Sequence, residues 1–423
     1  MVTETVRIKS TNSLHNCLSN FEFCEKAGLF ENTKKTTVEY IEINGNVIKK
    51  FTNEFWTSKQ RKANSIHEIA YRACFKAQLP RFFINLLTKP EDVVYDPFSG
   101  RGTTVLEAAL LNRNIISNDV SPLSKILCYP RFFTPDITEV ANRLYSIPID
   151  ETAKADIDLS MFYHPKTEAE VVSFRKYLKE KQQRGFEDKL DQWIRMVATN
   201  RLTGHSPGFF SVYTLPPNQA VSQESQKKIN KKRNQKPEYR DVRQLILKKT
   251  KSLIKKISHQ KSIQLHKIGL KARFLTMDAR FTPRIKSDCV QLTITSPPFL
   301  DVVQYNKDNW LRCWFNSIDA KEVAAKITMA KKIEDWCEVM RKVFEELFRI
   351  TKAGGYIAFE VGEVKGGKLK LEEYVVLLGL NAGFDCEGIM VNQQEFTKTA
   401  NIWGVSNNKK GTNTNRIVIF CKR

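Results

Sequence analysis

Two parts of the chain alternate between short apolar runs and amphipathic helical stretches. Apolar residues recur at helical spacing from Ile66 to Leu87, and a further helix is expected from Val105 to Leu111. Buried strands are predicted at residues 92–98, 114–119, 272–278, 289–296, 356–361, 383–391 and 416–421, with later helices at 333–350 and 371–380. Seven strands interleaved with helices predict an α/β doubly wound sheet with an antiparallel last pair.

Two regions break this alternation. Within residues 1–65, alternating runs on either side of Asn44-Gly45 predict a type I′ hairpin. Residues 129–271 carry no clear strand pattern, and a compact sheet does not need so many residues between its second and third strands. We therefore expect an N-terminal extension, a first half of the sheet domain, an inserted domain and a second half, over residues 1–65, 66–128, 129–271 and 272–423.

Composition places the chain among globular proteins. It has 423 residues, 41% of them hydrophobic, and no apolar run long enough to span a membrane. The first ten residues are polar and do not resemble a secretory signal, so we expect a cytoplasmic protein. Nine cysteines stand without zinc-like spacing, so we expect reduced thiols and no metal.

The charge is strongly positive and concentrated. The formal net charge is +22, and the stretch from Lys227 to Lys261 holds fourteen basic residues against Glu238 and Asp241. Such a stretch is either a solvated lysine-rich helix or a surface that contacts phosphates. A polyanionic partner would account for the excess.

The first candidate for chemistry is a glycine-containing turn between a strand and a helix. Asp96-Pro-Phe-Ser-Gly-Arg-Gly-Thr-Thr104 combines backbone freedom with the unpaired N–H groups of a helix start. It lacks the Lys of a phosphate loop and the third Gly of a dinucleotide fingerprint. Asp119 ends the next strand, where an acid can bind a ribose diol or cap the following helix.

The second candidate is Thr295-Ser-Pro-Pro-Phe299, at the end of the fourth predicted strand. Two prolines stiffen the turn and remove two N–H donors, so carbonyls and the Ser296 hydroxyl are presented. Acceptors of this kind can orient an exocyclic amine, and Phe299 offers a face on which a base can stack. A Pro-Pro turn is also common in ordinary loops.

Together these motifs resemble the DNA amino-methyltransferases, which move a methyl group from S-adenosylmethionine to an exocyclic base nitrogen. The resemblance covers residues 66–128 and 272–423 and implies a Rossmann-like class I methyltransferase sheet of seven strands. It implies cofactor binding by Asp96, Phe98, Gly100, Gly102, Thr103, Thr104, Asp119, Asp278, Gln78 and Pro80. It also implies catalysis by Ser296, Pro297, Pro298 and Phe299.

Ser before Pro-Pro is similar to the cytosine-N4 subgroup, so transfer to cytosine N4 after base flipping is favoured and adenine N6 stays open. An RNA base-amine methyltransferase and a non-catalytic nucleic-acid-binding protein are the other candidates. A cytosine-C5 enzyme is disfavoured, because that chemistry needs a Cys after Pro and the sequence has no Pro-Cys pair. The motif order, with the cofactor motif first, differs from the commonest cytosine-N4 arrangement.

The inserted segment is the candidate for reading double-stranded DNA, since a variable region does so in this family. Residues that could contact phosphates or bases there are Arg195, Arg201, His205, Lys227, Lys228, Lys231, Lys232, Arg233, Arg240 and Arg243. Packing roles are as plausible for any one of them. Asp301 and Tyr305 could line the substrate pocket, or serve as a helix cap and a packing aromatic. A restriction endonuclease of the same specificity is a candidate partner, and both monomer and dimer stay open.

Overall fold

The computed structural model describes residues 11–27, 30–56, 63–72, 74–216, 219–298, 305–327, 330, 332–362, 369–393 and 414–423. Its strands, numbered along the chain, are β1 Glu22–Ala27, β2 Phe30–Lys35, β3 Thr37–Ile43, β4 Asn46–Asn53, β5 Val93–Asp96, β6 Asn114–Asn118, β7 Arg273–Leu275, β8 Val290–Thr295, β9 Thr351–Val361, β10 Asp385–Gln393 and β11 Thr414–Lys422.

The helices surround this sheet and fill the segment between β6 and β7. They are α1 Thr11–Ser19, α2 Gln78–Leu87, α3 Thr103–Leu110, α4 Pro122–Cys128, α5 Ile137–Ser146, α6 Pro165–Gln183, α7 Lys189–Arg201, α8 Gln223–Arg233, α9 Val242–Ile254, α10 His259–Lys271, α11 Tyr305–Phe315, α12 Ala320–Lys326, α13 Ile333–Ile350 and α14 Leu371–Asn381. Short 3-10 turns occur at Ser65–His67 and Tyr129–Phe132. Among the described residues, no helix combines the length and hydropathy that crossing a bilayer requires.

The main sheet has nine strands in the order β3-β4-β10-β11-β9-β8-β5-β6-β7. The expectation of seven strands is therefore too low, because the N-terminal hairpin joins the sheet through parallel pairing of β4 with β10. Asn44 and Gly45 both have positive φ, as a type I′ turn requires. The pairs β5–β6, β5–β8, β8–β9 and β6–β7 are parallel, whereas β11 runs antiparallel to both β9 and β10.

Successive residues of the central strands face opposite sides of the sheet and belong to two hydrophobic cores. Val94 and Ile115 lie in the first core, whereas Tyr95 and Ile116, the residues that follow them, lie in the second. Parallel strands buried on both faces read as continuous apolar runs, and this is why periodicity identified them in the sequence. Helices α13 and α14 cover the second core, and the other packed helices lie mainly against the first.

The helical segment between β6 and β7 shares the first core with the sheet. Its Phe162, Trp193 and Leu253 belong to the same buried cluster as Val94. Polar contacts join it to the segment before β5 as well, since Asn200 donates through Nδ2 to the Ala70 carbonyl at 3.0 Å. The basic segment is thus packed as a layer on one face of the sheet.

Candidate active site

A cavity opens at the carboxyl ends of β5, β6, β7 and β8. It encloses about 1190 Å³, counted with its open mouth, and its walls include Asp96, Gly100, Asp119, Asp278 and Ser296. The chain leaves β5 toward β6 on one side, and β8 lies on the other side, so the cavity lies where the strand order reverses. Ligands of open α/β sheets bind at such positions. The two motifs therefore meet in one cavity, although 190 residues separate Thr104 from Ile294, whose carbonyl accepts from the Thr104 hydroxyl at 3.2 Å.

The glycine turn is held by Asp119. The Gly100 N–H donates to Asp119 Oδ2 at 2.8 Å, and the Ser121 N–H donates to Oδ1 at 2.9 Å. The same carboxylate thus lines the cavity and binds the backbone just before α4, and its contact with a ribose stays a prediction. Gly100 has φ +51, a conformation that favours glycine.

Gly102 and Thr104 serve packing. Gly102 has φ +76, and an added Cβ would come within 2.1 Å of Cys128 Sγ. The Thr104 side chain is buried against the end of β8. Neither residue is among the cavity-lining residues, whereas Phe98 and Thr103 are. Cofactor binding by these two residues therefore stays a prediction, and their described contacts are packing contacts.

Asp96 links the first motif to the second. Its Oδ1 accepts from the Thr295 hydroxyl at 2.7 Å and from the Phe98 N–H at 3.1 Å. Thr295 is the residue directly before Ser296, so this bond ties the start of the second motif to the end of β5. Thr293, two residues earlier on β8, is buried as well, and the whole strand end is enclosed.

Both buried carboxyl groups hold protons more readily than usual. Burial raises the pKa of Asp96 to about 7, although the hydrogen bonds from Thr295, Thr104 and Phe98 oppose the shift. Burial also raises the pKa of Asp119 to about 6 against the bonds from Ser121 and Gly100. Two carboxyls that are partly desolvated at the wall of one cavity favour a cationic ligand, since its charge would compensate for the lost hydration.

Ser296 has a partner that sequence patterns did not identify. Glu360, near the end of β9, is 7% exposed, and Ser296 lies close enough to it to lower the pKa of its carboxyl. Asn415 Nδ2 donates to Glu360 Oε1 at 3.0 Å. Burial raises the pKa of Glu360, whereas Ser296 and Asn415 lower it. The signal in the sequence was a single acid inside the apolar run of residues 356–361, which predicts a buried carboxyl but not its neighbour.

The second motif is described only as far as Pro298. Ser296 and Pro298 line the cavity, whereas Pro297 is buried. Phe299 and Asp301 lie outside the described residues, as does the side chain of Tyr305, the first residue of α11. The Pro298 carbonyl accepts from Trp336 Nε1 at 2.9 Å, a contact with the first turns of α13.

The segment before α2 lies beside the glycine turn, since a Cβ added to Gly100 would come within 3.4 Å of the Tyr71 ring. Gln78 and Pro80 lie in the first turn of α2, and neither is a cavity-lining residue. The preceding segment lines the cavity instead, through Tyr71 and Phe75. Proline is tolerated in the first turn of a helix, so Pro80 is explained by the start of α2. The role of Gln78 and Pro80 in cofactor binding therefore stays a prediction, and Tyr71 and Phe75 are the residues of this region that line the cavity.

Asp278 lines the cavity with its carboxylate already paired. Arg280 contacts it through Nε at 3.0 Å to both oxygens and through Nη2 at 2.5 Å. Burial would raise the pKa of Asp278, but the bonds from Arg280 leave it below the usual value. Both side chains lie at the cavity wall. A ligand at this end would therefore meet an ion pair, not a free carboxylate.

Two of the arginines expected to contact nucleic acid are buried. Arg195 is 4% exposed, donates to Glu187 Oε1 at 2.5 Å and donates to the Leu178 carbonyl at 2.8 Å. Arg201 is 9% exposed and stacks on Phe209, with its guanidinium carbon 3.9 Å from the ring centre. A DNA phosphate cannot reach guanidinium groups enclosed in this way, so both are removed from the candidate interface.

Arg240, Arg243 and His205 also contact the protein itself. Arg240 Nη1 donates to the Phe209 carbonyl at 2.8 Å, and Arg243 Nη2 donates to the Ile147 carbonyl at 2.7 Å. His205 lies against Phe209, with ring centres 6.2 Å apart. The two arginines donate to backbone carbonyls that lie in loops, outside the helices and strands. This role explains their position better than phosphate contact does.

The remaining candidates lie together on α8. Lys227, Lys228, Lys231, Lys232 and Arg233 are all exposed on this helix. Lys227 Nζ lies 3.3 Å from Asp158 Oδ2, and Arg233 stacks on Tyr213 at 3.9 Å. The positive charge at the end of α8 is thus available to a partner in solution.

Two further observations concern sites of other kinds. A second, more open cavity of about 1620 Å³, counted with its open mouth, lies beside the start of α8 and is lined by Arg72, Asp308 and Trp310 among others. No group of three or more metal-binding side chains occurs in the part of the chain that the structure describes.

Comparison with known sequences points to DNA methyltransferases. A family model described as DNA methylase matches residues 22–124, a segment that holds Asp96 through Thr104 and Asp119 but not Ser296. The type II methyltransferase M.PvuII of Proteus hauseri is 41% identical over 70 residues, which is 16% of this chain. The chain matches about a fifth of that relative's length, 21%. Both matches support a relationship with the DNA amino-methyltransferases.

Solved structures give weaker similarities. A TehB-like S-adenosylmethionine-dependent methyltransferase from Corynebacterium glutamicum has a TM-score of 0.29 and 7% identity, covering 83% of this chain and 90% of that one. A protein described as a DNA modification methylase from Thermus thermophilus, solved with S-adenosyl-L-methionine, has a TM-score of 0.21 and 18% identity, covering 34% and 53%. Similarities with TM-scores this low do not indicate a function. The function proposed for this protein therefore rests on the sequence matches and on the cavity.

Proposed function

We propose that this protein is a DNA methyltransferase that uses S-adenosylmethionine and acts on the exocyclic N4 of cytosine. The observation that carries the proposal is the cavity at the carboxyl edge of the sheet, whose walls hold Asp96, Gly100 and Asp119 beside Ser296 and Pro298. The sequence matches to DNA methyltransferases support the same class of activity.

The cavity residues fit a methyl donor of this kind. Asp96 and Asp119 are buried carboxyls with raised pKa values, and a sulfonium cation nearby would favour their ionised forms. Asp119 lies at the end of β6, where an acid is suited to a ribose diol. Tyr71 and Phe75 offer apolar surface in the same cavity, with the Tyr71 ring beside Gly100. When bound, S-adenosylmethionine supplies an electrophilic methyl group.

Ser296 and Glu360 would orient the target amine. Ser296 lies near the buried Glu360 carboxyl, and a hydroxyl that donated to this group would keep its oxygen lone pairs to accept an N–H of the base. Backbone carbonyls of the Pro-Pro turn are further acceptors, since proline presents C=O groups without N–H donors. Acceptors in fixed positions hold the nitrogen lone pair toward the methyl group, and Glu360 could take the amine proton afterwards.

The exposed cations of α8 are the proposed contact with the DNA backbone. Lys228, Lys231 and Lys232 are exposed. Such groups supply binding that does not depend on sequence and weakens as salt increases. A target base inside a duplex cannot reach an enclosed cavity, so it would have to leave the stack, as in other enzymes that modify bases.

The proposal is tested by expressing the protein in a host without DNA methylation and mapping modified bases. Wild type should introduce N4-methylcytosine at a defined sequence, whereas Ser296→Ala should leave the DNA almost unmodified. A mass-spectrometric method that separates N4-methylcytosine from N6-methyladenine is required.

The other outcomes select among the remaining candidates. Methyladenine alone would replace cytosine by adenine as the target without changing the site. Methyl incorporation into structured RNA but not duplex DNA would indicate an RNA base-amine methyltransferase. If calorimetry detects no binding of S-adenosylmethionine, the enzymatic proposal fails and a non-catalytic nucleic-acid-binding protein takes its place.

A further inference from the structure

Trp336 makes a contact with the second motif that no sequence pattern suggested. Its indole Nε1 donates to the Pro298 carbonyl at 2.9 Å, and its side chain is 2% exposed. Both residues line the cavity, so the hydrogen bond lies at the wall where the target base is proposed to enter. The contact joins the loop after β8 to the first turns of α13.

The loop after β8 depends on contacts of this type. Pro297 and Pro298 have no N–H, so neither can donate to a neighbouring strand or to a carboxylate. The hydrogen bond described for this turn instead reaches it from a side chain, because the Pro298 carbonyl accepts from Trp336. This contact fixes the turn at Pro298.

We infer that Trp336 is a positioning residue for methyl transfer, because its indole N–H clamps the Pro298 carbonyl and thereby fixes where the acceptors of the Pro-Pro turn point. This inference rests on the proposed function. The clamp acts through the turn and not on the base itself, so it should affect the orientation of the amine more than the binding of the donor.

Helix α13 gives the clamp a rigid support. Its buried positions recur at helical spacing, and Met340, Val343 and Phe344 belong to the same core as Trp336. The Phe344 ring lies 4.9 Å from that of Phe359 on β9, which ties the helix to the sheet. An indole held by a packed helix loses little freedom when it forms its hydrogen bond, so it can fix the backbone at Pro298.

Trp193 provides a matched control. It is also fully buried, and its indole Nε1 donates to Thr250 Oγ1 at 3.0 Å. It lies on α7, in the helical segment, and is not among the residues that line the cavity. Removing either indole N–H deletes one buried hydrogen bond, but only the bond of Trp336 touches the second motif.

The experiment replaces each tryptophan by 3-benzothienylalanine, which keeps the ring shape and lacks the N–H, with Trp336→Phe and Trp193→Phe as conventional variants. At position 336 we expect kcat for DNA methylation to fall about ten-fold, because the free energy of the lost hydrogen bond corresponds to roughly a ten-fold change in rate. The Kd for S-adenosylmethionine should change less than about two-fold, because the clamp acts on the orientation of the amine and not on the binding of the donor. The variants at position 193 should lose thermal stability to a similar extent and keep kcat.

Equal kcat values for wild type and the analogue at position 336 would overturn the inference, and so would parallel losses in kcat and donor affinity. A second readout does not depend on activity. In 15N-labelled protein, the indole N–H signal of Trp336 is assigned by its loss in Trp336→Phe, and this proton should exchange slowly with solvent. If wild type methylates no nucleic acid, the proposed function fails on that result alone. Rapid exchange of the Trp336 indole proton would contradict the clamp in either case.

Discussion

The sequence predicts a site both at the carboxyl edge of the sheet and in the basic helical segment. The structure brings the predicted residues together in the first region and separates them in the second. At the sheet edge, residues from distant motifs meet in one cavity, as with Asp96 and Ser296. In the helical segment, fourteen basic residues within Lys227–Lys261 do not form one surface. Arg240 and Arg243 bind loop carbonyls, whereas Lys231 and Lys232 are exposed.

The difference has a physical cause. Parallel strands bring their carboxyl ends to one edge, so a motif that follows a strand is placed by the topology alone. A cation on a helix is placed by the rotation of the helix and by its neighbours, and arginine in particular is often used to satisfy carbonyls or stack on rings. Charge density along the chain therefore predicted a partner for the segment but did not identify the residues that contact it.

The sharpest test of this contrast compares a buried cation with an exposed one. Arg195→Ala should lower the free energy of unfolding by about 3 kcal/mol, because Glu187 and the Leu178 carbonyl lose their buried donor. Lys231→Ala should change it by less than about 0.5 kcal/mol. Urea unfolding measures both. Similar effects for the two variants would show that burial does not separate the structural cations from the exposed ones.

Within the cavity, the two motifs should separate binding from turnover. Ser296→Ala should lower kcat about 100-fold, since it removes a positioned acceptor, and should leave the donor Kd nearly unchanged. Asp119→Ala should mainly weaken donor binding, because it releases the Gly100 N–H as well as the carboxylate. Steady-state kinetics and calorimetry check the pair. If both variants changed kcat and Kd in equal proportion, the division of roles would be wrong.

The pH dependence of stability tests the burial of Asp96. Its pKa is raised from 3.8 to about 7, so between these values the native state holds a proton that the unfolded chain has released. The free energy of unfolding should therefore decrease as pH rises through this range, and Asp96→Asn should weaken the decrease. Denaturant unfolding at several pH values measures the slope. An unchanged slope in the variant would mean that Asp96 is already ionised in the native state.

The smallest expected effect concerns α8. Lys231→Ala with Lys232→Ala should reduce the slope of log K against log salt by about 2, roughly 0.9 for each lost phosphate contact. The control pair, Lys286→Ala with Lys342→Ala, lies elsewhere on the exposed surface and should leave the slope unchanged. Fluorescence anisotropy with a duplex oligonucleotide gives both values. Equal losses in the two pairs would indicate a diffuse charge effect.

Sequence reasoning predicted the central strands well because they are buried on both faces and contain short, continuous apolar runs. It missed that the hairpin at Asn44-Gly45 extends the sheet, since nothing local in that hairpin specifies pairing with β10. For the cavity it found Asp96, Asp119 and Ser296 from motifs, but Glu360 and Trp336 required the packing of β9 and α13 against the second motif. Such neighbours come from tertiary contacts that periodicity does not encode.

The central claim is that one cavity holds the methyl donor and presents the base to it. The most direct measurement is a crystal structure with sinefungin, a non-transferring donor analogue, and a duplex oligonucleotide. We expect the ribose at Asp119 and the amine that replaces the methyl group pointing toward Ser296. An analogue bound in the second cavity beside Arg72 and Trp310, or one whose amine points away from Ser296, would contradict the account.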